Sequence, residues 1–384
     1  MLQPREAELY YNLIDLTRKN EAFYFQDFVR DTRTYRIFNY RLASYTDFLQ
    51  PDAIECRGIM FEIIPARVGV SGVSEDEPYR LASRPMAKFF NLNENPITMD
   101  LDLSTVTSIE LKADGSLMSS YLHDGQIYVK SKGALFSEQA VAANAWLRTE
   151  EARRLFGAIG LFTYAGKTVN LEWCSPVHRI VLGYEKPHLT VLNVIDNVTG
   201  VYVPRADLEF VIPTEYLIKN VEVEDKAAFV QSIGAMTGIE GYVITLANGL
   251  RAKVKCEWYL SLHHAKDSVN NPRRLFEAIL DEAIDDLRSM FFEDKIAMQL
   301  IDEMQVKVDH IYNTYVKAVE EFYAANKHLD RKSYAIKGQQ ELPQLYFGTA
   351  MNLYVQKLVN YKEFLKGKWK DLGLKDTAIV ADEE

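Results

Sequence analysis

The sequence changes character near residue 270. Before that point, short stretches of alternating apolar and polar residues are separated by turn-forming residues, which is typical of β-strands. These stretches are Val106–Lys112, Leu117–Leu122, Gln126–Lys130, Thr168–Trp173, Leu189–Val194, Gly241–Leu246 and Leu250–Cys256. After it, apolar residues recur at helical spacing through Leu275–Leu287 and Ala297–Phe322. We therefore predict an α+β domain built mainly on antiparallel sheet, residues 1–265, followed by an all-helical domain, residues 266–384, that begins near Asn270-Asn271-Pro272.

Three of the predicted turns contain an Asp-Gly or Asn-Gly pair. They are Ala113-Asp114-Gly115, His123-Asp124-Gly125 and Ala247-Asn248-Gly249. Such pairs tolerate the left-handed backbone of tight hairpin turns. Each is therefore predicted to join two antiparallel strands that pair with each other.

Lys112 stands at the end of a predicted strand, directly before the first of these turns. Because side chains alternate along a strand, Lys112 shares a face with Glu110 and Ser108, while Ile109 and Leu111 lie on the opposite face. A lysine in this place can present its amine to a cleft. The alternative interpretation is an ordinary surface lysine beside a hairpin turn.

A pair of lysines has a similar position on another strand. In Leu250–Cys256 apolar residues alternate with Lys253 and Lys255, so both ammonium groups project from one strand face. Two neighbouring ammonium groups repel each other unless an anion lies between them, which makes a phosphate chain a natural partner. A solvated basic face is the alternative. Glu240 precedes the partner strand, and Glu172 lies on the polar face of a further strand.

The charge of the chain is unevenly distributed. The net charge is −10, which excludes a protein that coats nucleic acid by bulk electrostatics. Residues 331–370 nevertheless carry eight basic and two acidic side chains, a local charge of +6. This segregation favours a local binding site for a polyanion, with a solvated helix face as the alternative.

Cysteine content and hydropathy indicate the compartment. The three cysteines, Cys56, Cys174 and Cys256, are scattered and odd in number, which argues against a disulfide framework and for a reducing environment. Met1–Lys19 lacks the layout of a signal peptide, and no apolar run is long enough to span a bilayer. We expect a cytoplasmic protein without membrane association.

The sequence resembles the covalent nucleotidyltransferase superfamily of ATP-dependent DNA ligases, RNA ligases and mRNA-capping guanylyltransferases. The resemblance lies in one lysine, two strand carboxylates and a lysine pair, in that chain order. In that superfamily the lysine of a Lys-x-Asp-Gly motif, here Lys112-Ala113-Asp114-Gly115, attacks the nucleotide α-phosphate. Longer stretches narrow the resemblance to the RNA ligase 1 family of T-even-type bacteriophages. They run in order through the N-terminal two-thirds, with a fainter match in the helical tail: Arg33–Phe38, Glu55–Glu62, Ser83–Glu94, Lys130–Gly133, His178–Leu182 and Glu257–His263.

The resemblance implies a role for each matching position. Lys112 receives AMP, and Glu172, Glu240 and Tyr259 are further catalytic residues. Asp285, on the first helix of the tail, and Glu240 hold Mg²⁺; the residue pattern leaves open that Asp285-Asp286 is an exposed pair on a solvated helix. The implied ATP-binding residues are Tyr40, Arg57, Lys88, Lys112, Lys132, Glu172, Lys253 and Lys255.

The sequence departs from the wider superfamily in two respects. Cys174-Ser175 stands where a glycine follows the aromatic residue after Glu172. The basic C-terminal barrel motif of DNA ligases and capping enzymes is absent as well. The second departure argues against a DNA ligase and suits an RNA ligase.

The implied activity is ATP-dependent RNA ligation. AMP would pass from ATP to Lys112 and then to an RNA 5′-phosphate, after which the RNA 3′-hydroxyl would displace AMP. The implied substrate is RNA, in particular tRNA with a broken anticodon loop, in the host-cell cytoplasm if the gene is phage-encoded, with an end-healing kinase–phosphatase as partner.

Two other hypotheses remain. A capping-type guanylyltransferase would share the lysine chemistry but would use GTP. A non-catalytic RNA-binding or virion-assembly factor on a retired ligase fold predicts losses at the nucleophile, carboxylate or lysine-pair positions, and all of these residues are present.

Overall fold

The computed structural model describes residues 3–64, 68–69, 72–73, 76–178, 180–263, 269, 271–292 and 294–374. The chain divides into two compact units, Met1–His263 and His264–Glu384. Asn270, where we predicted that the helical tail begins, and Arg179, from one of the family-like stretches, lie outside the described residues.

The first unit combines strands with short helices. Its helices are α1 (Pro4–Lys19), α2 (Glu138–Trp146), α3 (Arg153–Tyr164), α4 (Arg205–Val211), α5 (Lys226–Ser232) and α6 (Glu257–His263). Its strands are β1 (Phe23–Arg30), β2 (Arg33–Tyr40), β3 (Ile59–Ile64), β4 (Val68–Gly69), β5 (Gly72–Val73), β6 (Glu77–Ser83), β7 (Phe90–Asn91), β8 (Val106–Leu111), β9 (Ser116–His123), β10 (Gln126–Ser131), β11 (Lys167–Cys174), β12 (His188–Asp196), β13 (Gly241–Leu246) and β14 (Arg251–Lys255).

These strands form three four-stranded sheets and one two-stranded ribbon, β4-β5. The first sheet has the order β1-β2-β3-β6, the second β10-β9-β11-β12 and the third β7-β14-β13-β8. The pairings in these sheets are antiparallel except for the parallel contact between β14 and β7. The predicted fold class is therefore confirmed, and the predicted strands match observed ones to within two residues at each end.

One of the three predicted hairpin turns is wrong. His123-Asp124-Gly125 joins the paired strands β9 and β10, and Ala247-Asn248-Gly249 joins β13 and β14. Ala113-Asp114-Gly115 instead carries the chain from β8 in the third sheet to β9 in the second. Neither Asp114 nor Gly115 has the positive φ of a tight hairpin turn, whereas Asp124 and Gly125 do.

Apolar strand faces bury themselves against helices and against one another. One buried cluster joins the second sheet to α2 and α3, with Trp146, Leu155 and Ile159 packed in it together with Val169 and Leu171. A second cluster places α1 against the first sheet, because Leu9, Leu13 and Leu16 recur on one helix face. A third lies on the third sheet beside α5. These cores hold the sheets rigidly where polar side chains emerge between them.

The second unit is helical in its described part. Its helices are α7 (Pro272–Leu280), α8 (Ile284–Met290), α9 (Lys295–Asn326), α10 (Arg331–Glu341), α11 (Gln344–Tyr354) and α12 (Tyr361–Gly367). The apolar pattern of Leu275–Leu287 predicted one continuous helix, but the helix breaks at Glu282, whose φ is +59°. Asp285 consequently lies in the first turn of α8, the second helix of this unit.

None of the helices in the described part of the chain combines the length and the apolar character that crossing a membrane requires.

Candidate active site

A cavity of about 480 Å³ is lined by residues from the second and third sheets. This volume lies in the range of small-molecule sites. Two carboxylates, Glu110 and Glu172, also line it. Six cationic side chains line it: Arg57, Lys112, Lys132, Arg251, Lys253 and Lys255. In a chain of net charge −10, this concentration of positive charge makes the cavity suited to a polyanion such as a phosphate chain.

Lys112 lies at the edge of this cavity, one residue beyond the end of β8. Its backbone N–H donates to the carbonyl of Gly241 at 2.9 Å, which extends the pairing of β8 with β13. Gly241 has a φ of +146°, and a Cβ there would approach the Val254 carbonyl oxygen to 2.0 Å. Only glycine therefore allows β13 to lie this close to β14 at the residue whose carbonyl holds Lys112.

The Lys112 ammonium is paired with a buried carboxylate. Its Nζ lies 2.8 Å from Oε1 of Glu240, and the same oxygen is 3.2 Å from Nζ of Lys255. Glu240 is 2% exposed. The Glu240 carboxylate therefore orients the two amines, and the metal-ligand role that the family resemblance implies for it stays a prediction.

Asp114 anchors the loop that follows Lys112. One carboxylate oxygen accepts hydrogen bonds from the backbone N–H groups of Val181 and Leu182, at 2.9 and 2.5 Å. The other accepts from the Tyr259 hydroxyl at 2.9 Å. Tyr259, predicted as catalytic, is fully buried and therefore reaches the site through Asp114. The aspartate that we read as a turn residue is in fact a buried structural contact.

Several aromatic rings support the cations at another side of the site. Nζ of Lys132 lies 4.6 Å from the ring centre of Tyr40, and Nζ of Lys88 lies 5.5 Å from the same ring. Lys88 is also within 5.4 Å of Phe48 and 5.1 Å of Phe90. These cation–π contacts favour the charged form of each amine and fix each against the Tyr40 ring. Tyr40 and Lys88 do not line the cavity themselves. Tyr40 contacts Lys132, which does line it, and Lys88 contacts Tyr40.

The lysine pair lies where the alternation on β14 predicts. Ala252 and Val254 are buried, and Lys253 and Lys255 face the cavity. Sequence reasoning did not identify the ion pair beside them, in which Arg251 Nη2 lies 3.0 Å from Oε2 of Glu110. Both of its members line the cavity and stand on strands separated by β13. The strand alternation that identified Lys253 applies equally to Arg251.

Glu172 lies on β11 at the cavity wall. Burial raises its pKa from the ordinary range near 4.5 to about 7, with the nearby Lys112 opposing this rise and Glu240 adding to it. The side chain is 9% exposed. A carboxyl group poised in this way gains a full negative charge most readily when a cation binds beside it.

We expect Glu172 to make stability depend on pH. Because its pKa is higher in the folded chain than in the unfolded chain, the folded state holds the extra proton between about pH 4.5 and 7, so stability falls as pH rises through that window. As pH rises through this window, the free energy of unfolding of the Glu172→Gln variant should increase relative to that of wild type, by up to about 1.4 kcal/mol per pH unit. Urea unfolding midpoints at pH 5, 6, 7 and 8 measure this, with Glu185→Gln as the exposed control. A difference that is constant with pH would contradict the assignment.

Asp285 belongs to the second unit and is half-buried, while its neighbour Asp286 is 7% exposed. The alternative of a fully exposed pair on a solvated helix is therefore wrong. The metal-ligand role of Asp285 stays a prediction.

Two family models match the chain. Residues 55–259 match the model described as RNA ligase, and residues 266–367 match the model described as T4 RNA ligase 1, C-terminal domain. The first match alone covers more than half of the chain.

Individual relatives are more distant. A putative RNA ligase of Thermovibrio ammonificans is 23% identical over 315 residues, which is 80% of this chain and 79% of that protein. A putative bifunctional polynucleotide kinase/RNA ligase of Autographa californica nuclear polyhedrosis virus is 26% identical over 262 residues, 63% of this chain but only 35% of that protein's length. A solved archaeal ATP-dependent RNA ligase is 11% identical, covering 91% of this chain and 96% of its own, with a TM-score of 0.43.

With the family matches added to the fold and the cationic cavity, the chain is assigned to the RNA ligases. More narrowly, the chain belongs to the RNA ligase family that includes T4 RNA ligase 1, in both its N-terminal and its C-terminal region.

Proposed function

We propose that this ligase works through a covalent lysyl-AMP intermediate on Lys112. The observation that carries the proposal is the position of the Lys112 amine, 2.8 Å from a buried carboxylate at the wall of a cavity with six cationic side chains. An amine nucleophile needs a proton acceptor and an electrophile held close by. Glu240 supplies the first, and a triphosphate seated on the cations supplies the second.

In the first step the Lys112 nitrogen attacks the α-phosphorus of ATP. A phosphorus–nitrogen bond forms, the bond from the α-phosphorus to the bridging oxygen breaks, and pyrophosphate leaves with that electron pair. Lys112 attacks as the neutral amine, after its ammonium has lost one proton to the solvent, and the second proton passes toward Glu240 as the phosphorus–nitrogen bond forms. Lys253, Lys255 and Arg57 stabilise the negative charge that develops on the phosphates, as fixed donors in a preorganised site.

The next two steps move AMP onto RNA and then off it. An oxygen of the RNA 5′-phosphate attacks the same phosphorus, the phosphorus–nitrogen bond breaks and Lys112 regains its proton. The RNA 3′-hydroxyl then attacks the 5′-phosphorus of the activated end, losing its proton, and AMP leaves as a 3′–5′ bond forms. Both steps join large molecules, so positioning is the main contribution of the protein.

We propose Mg²⁺ as the metal. The donor set fits a hard cation, because Glu172 offers a cavity-facing carboxylate oxygen, and a bound cation would favour the ionised form of this carboxyl group, whose pKa burial raises. Glu172 would hold the ion at this wall of the cavity, and the metal-ligand roles that the family resemblance implies for Glu240 and for Asp285 stay predictions. A bound divalent cation would neutralise charge on the phosphates.

The test of the lysyl-AMP proposal uses wild-type protein first stripped of AMP with pyrophosphate. Mixed with α-labelled ATP and Mg²⁺, it should give an acid-labile labelled band on a denaturing gel. Labelling with GTP instead of ATP would favour the guanylyltransferase hypothesis. If neither nucleotide labels the protein, the lysyl-AMP proposal fails and the RNA-binding hypothesis takes its place.

The tail is proposed to bind RNA, in particular tRNA with a broken anticodon loop in an infected cell, after an end-healing kinase–phosphatase has prepared the ends. Part of its basic charge is already compensated, since Lys362 pairs with Glu282 at 2.6 Å and Lys366 with Asp281 at 2.5 Å. Four exposed cations form no ion pair within the described part of the chain: Arg331, Lys332, Lys357 and Lys370. These are the phosphate contacts that we propose.

Alanine at all four positions should weaken sealing of a nicked tRNA stem-loop by about 10-fold and lower the salt dependence of its binding, without changing AMP labelling. The matched control is the pair Lys337→Ala and Lys368→Ala, whose ammonium groups already face Glu341 and Asp371 at 3.7 and 3.9 Å. Sealing assays at 50 and 200 mM salt measure both effects. Equal losses in the two variants would argue against a tail contact at these sites.

A further inference from the structure

Lys130 is a fully buried lysine next to the nucleotide cavity, and the mechanism above does not use it. It lies on β10, with 0% of its surface exposed. Its Nζ donates to the backbone carbonyl of Gly58 at 2.5 Å and to that of Ser131 at 3.2 Å. Both acceptors are neutral. A buried amine that faces only neutral acceptors within the described part of the chain is unfavourable for folding, so its presence in the core calls for a reason beyond stability.

The two carbonyls lie directly beside two cavity cations. Gly58 follows Arg57, and Ser131 precedes Lys132; Arg57 and Lys132 both line the cavity. The two segments belong to different sheets, because Gly58 immediately precedes β3 of the first sheet and Ser131 ends β10 of the second. One amine therefore bridges two sheets at the point where each contributes a cation.

The two segments are also in direct backbone contact. Gly58 has a φ of +91°, and a Cβ at that position would come within 2.5 Å of the Lys132 carbonyl oxygen. The turn thus fits against Lys132 only because residue 58 is glycine. Two contacts therefore fix the position of Arg57 relative to Lys132: the close approach of Gly58 to Lys132, and the hydrogen bonds from Lys130 to Gly58 and Ser131.

Burial lowers the pKa of Lys130 from its ordinary value of 10.5 to about 7. Near neutral pH a large share of the side chain is therefore a neutral amine. A neutral amine keeps two N–H donors, which is the number of carbonyls that it faces. Each N–H of the neutral Lys130 amine thus has a carbonyl acceptor, and the amine needs no counter-ion.

We propose that Lys130 is a positioning residue of the ligase, whose amine fixes the separation of Arg57 and Lys132 so that both contact the phosphates of ATP. The inference rests on the proposed lysyl-AMP function. Lys130 does not itself line the cavity, so it acts through the two cations.

The experiment is a mutant cycle on self-adenylylation, with KM for ATP and kcat measured separately. Lys130→Met keeps the length and apolar stem but removes both donors. In the wild-type background we expect kcat/KM to fall by about 10- to 100-fold, mainly through a higher KM, as for misplaced binding groups. In the Arg57→Ala/Lys132→Ala background the same substitution should lower kcat/KM by less than about threefold, because the side chains that Lys130 positions are gone.

A second readout is independent of activity. ATP binding by Lys112→Ala, which cannot be adenylylated, is compared by calorimetry with binding by Lys112→Ala/Lys130→Met, and we expect a Kd at least 10-fold higher in the latter. Lys130→Gln, which retains two amide N–H donors on a shorter chain, should lie between wild type and Lys130→Met. Melting curves accompany all variants, and the Gln variant replaces Met in the cycle if Lys130→Met does not fold.

The outcomes separate the two proposals. If wild-type protein takes no label from ATP, the lysyl-AMP function fails and this inference with it. If wild type is labelled but Lys130→Met loses the same factor in both backgrounds, Lys130 has a general structural role only. A folded Lys130→Met variant with wild-type kcat/KM and Kd would likewise overturn the assignment.

Discussion

Lys112→Arg should take no label from α-labelled ATP, even though it preserves the positive charge at the site. The guanidinium of arginine stays protonated at any accessible pH, so it has no lone pair with which to attack phosphorus. The Glu240 carboxylate, 2.8 Å from the lysine nitrogen, still finds a cationic partner in the variant. Lys112→Ala should be equally inactive, and we expect a loss beyond the detection limit, at least about 10⁴-fold, for both.

The chain offers a matched control for this substitution. Lys167 on β11 also pairs with a carboxylate at 2.8 Å, that of Asp196, and its side chain is 27% exposed against 23% for Lys112. Lys167 does not line the cavity. Lys167→Arg should therefore label like wild type in the same gel. Retained label in Lys112→Arg would disprove the nucleophile assignment, because no other role of this lysine needs a neutral amine.

The parts of the site that sequence reasoning predicted are those encoded by short-range patterns. Alternation within β14 placed Lys253 and Lys255 on one face, and the burial of Ala252 and Val254 confirms it. Alternation depends only on strand geometry, which holds wherever a strand forms. The same local logic predicted the β9–β10 hairpin from His123-Asp124-Gly125.

The parts that it missed depend on contacts between distant segments. The Asp114-Gly115 pair looks like a hairpin turn, yet Asp114 accepts hydrogen bonds from Leu182 and Tyr259, 68 and 145 residues away. Those partners hold the chain in a crossing between sheets, which overrides the local turn preference. The contact from Lys130 to Gly58 spans 72 residues, and no local sequence pattern predicts it.

The helical tail shows the same division. The helical period correctly predicted the class of the second unit, but it did not predict the break after Leu280. A glutamate at positive φ carries no sequence signal comparable with glycine or proline. Leu280 and Ala283 are buried on either side of that break, so the apolar spacing continues across it and the helical period gives no sign of the break.

Lys253→Ala should lower kcat/KM for self-adenylylation by about 10²- to 10³-fold, the usual loss on removing one fixed donor from a developing anion. Lys253 stands on the central strand pair of the third sheet, where its Cα partner on β13 is Val243 and its carbonyl accepts the N–H of Leu92 at 2.8 Å. These backbone contacts do not involve the side chain, so truncation should leave the strand intact. Single-turnover labelling over a range of ATP concentrations measures the loss, and Lys167→Ala on β11 is the control for removing a half-buried strand lysine.

Charge and geometry can be separated in the same series. Lys253→Arg keeps the positive charge. If long-range attraction matters, its kcat/KM should lie between those of wild type and Lys253→Ala. If the site needs a compact ammonium group, its kcat/KM should stay near that of Lys253→Ala. The loss in Lys253→Ala should appear in labelling from ATP and in the reverse reaction with pyrophosphate alike, because both pass through one transition state. If Lys253→Ala labels at the wild-type rate, the lysine pair is a solvated strand face, and the phosphate site must be sought among Arg57, Lys132 and Arg251 on the remaining walls of the cavity.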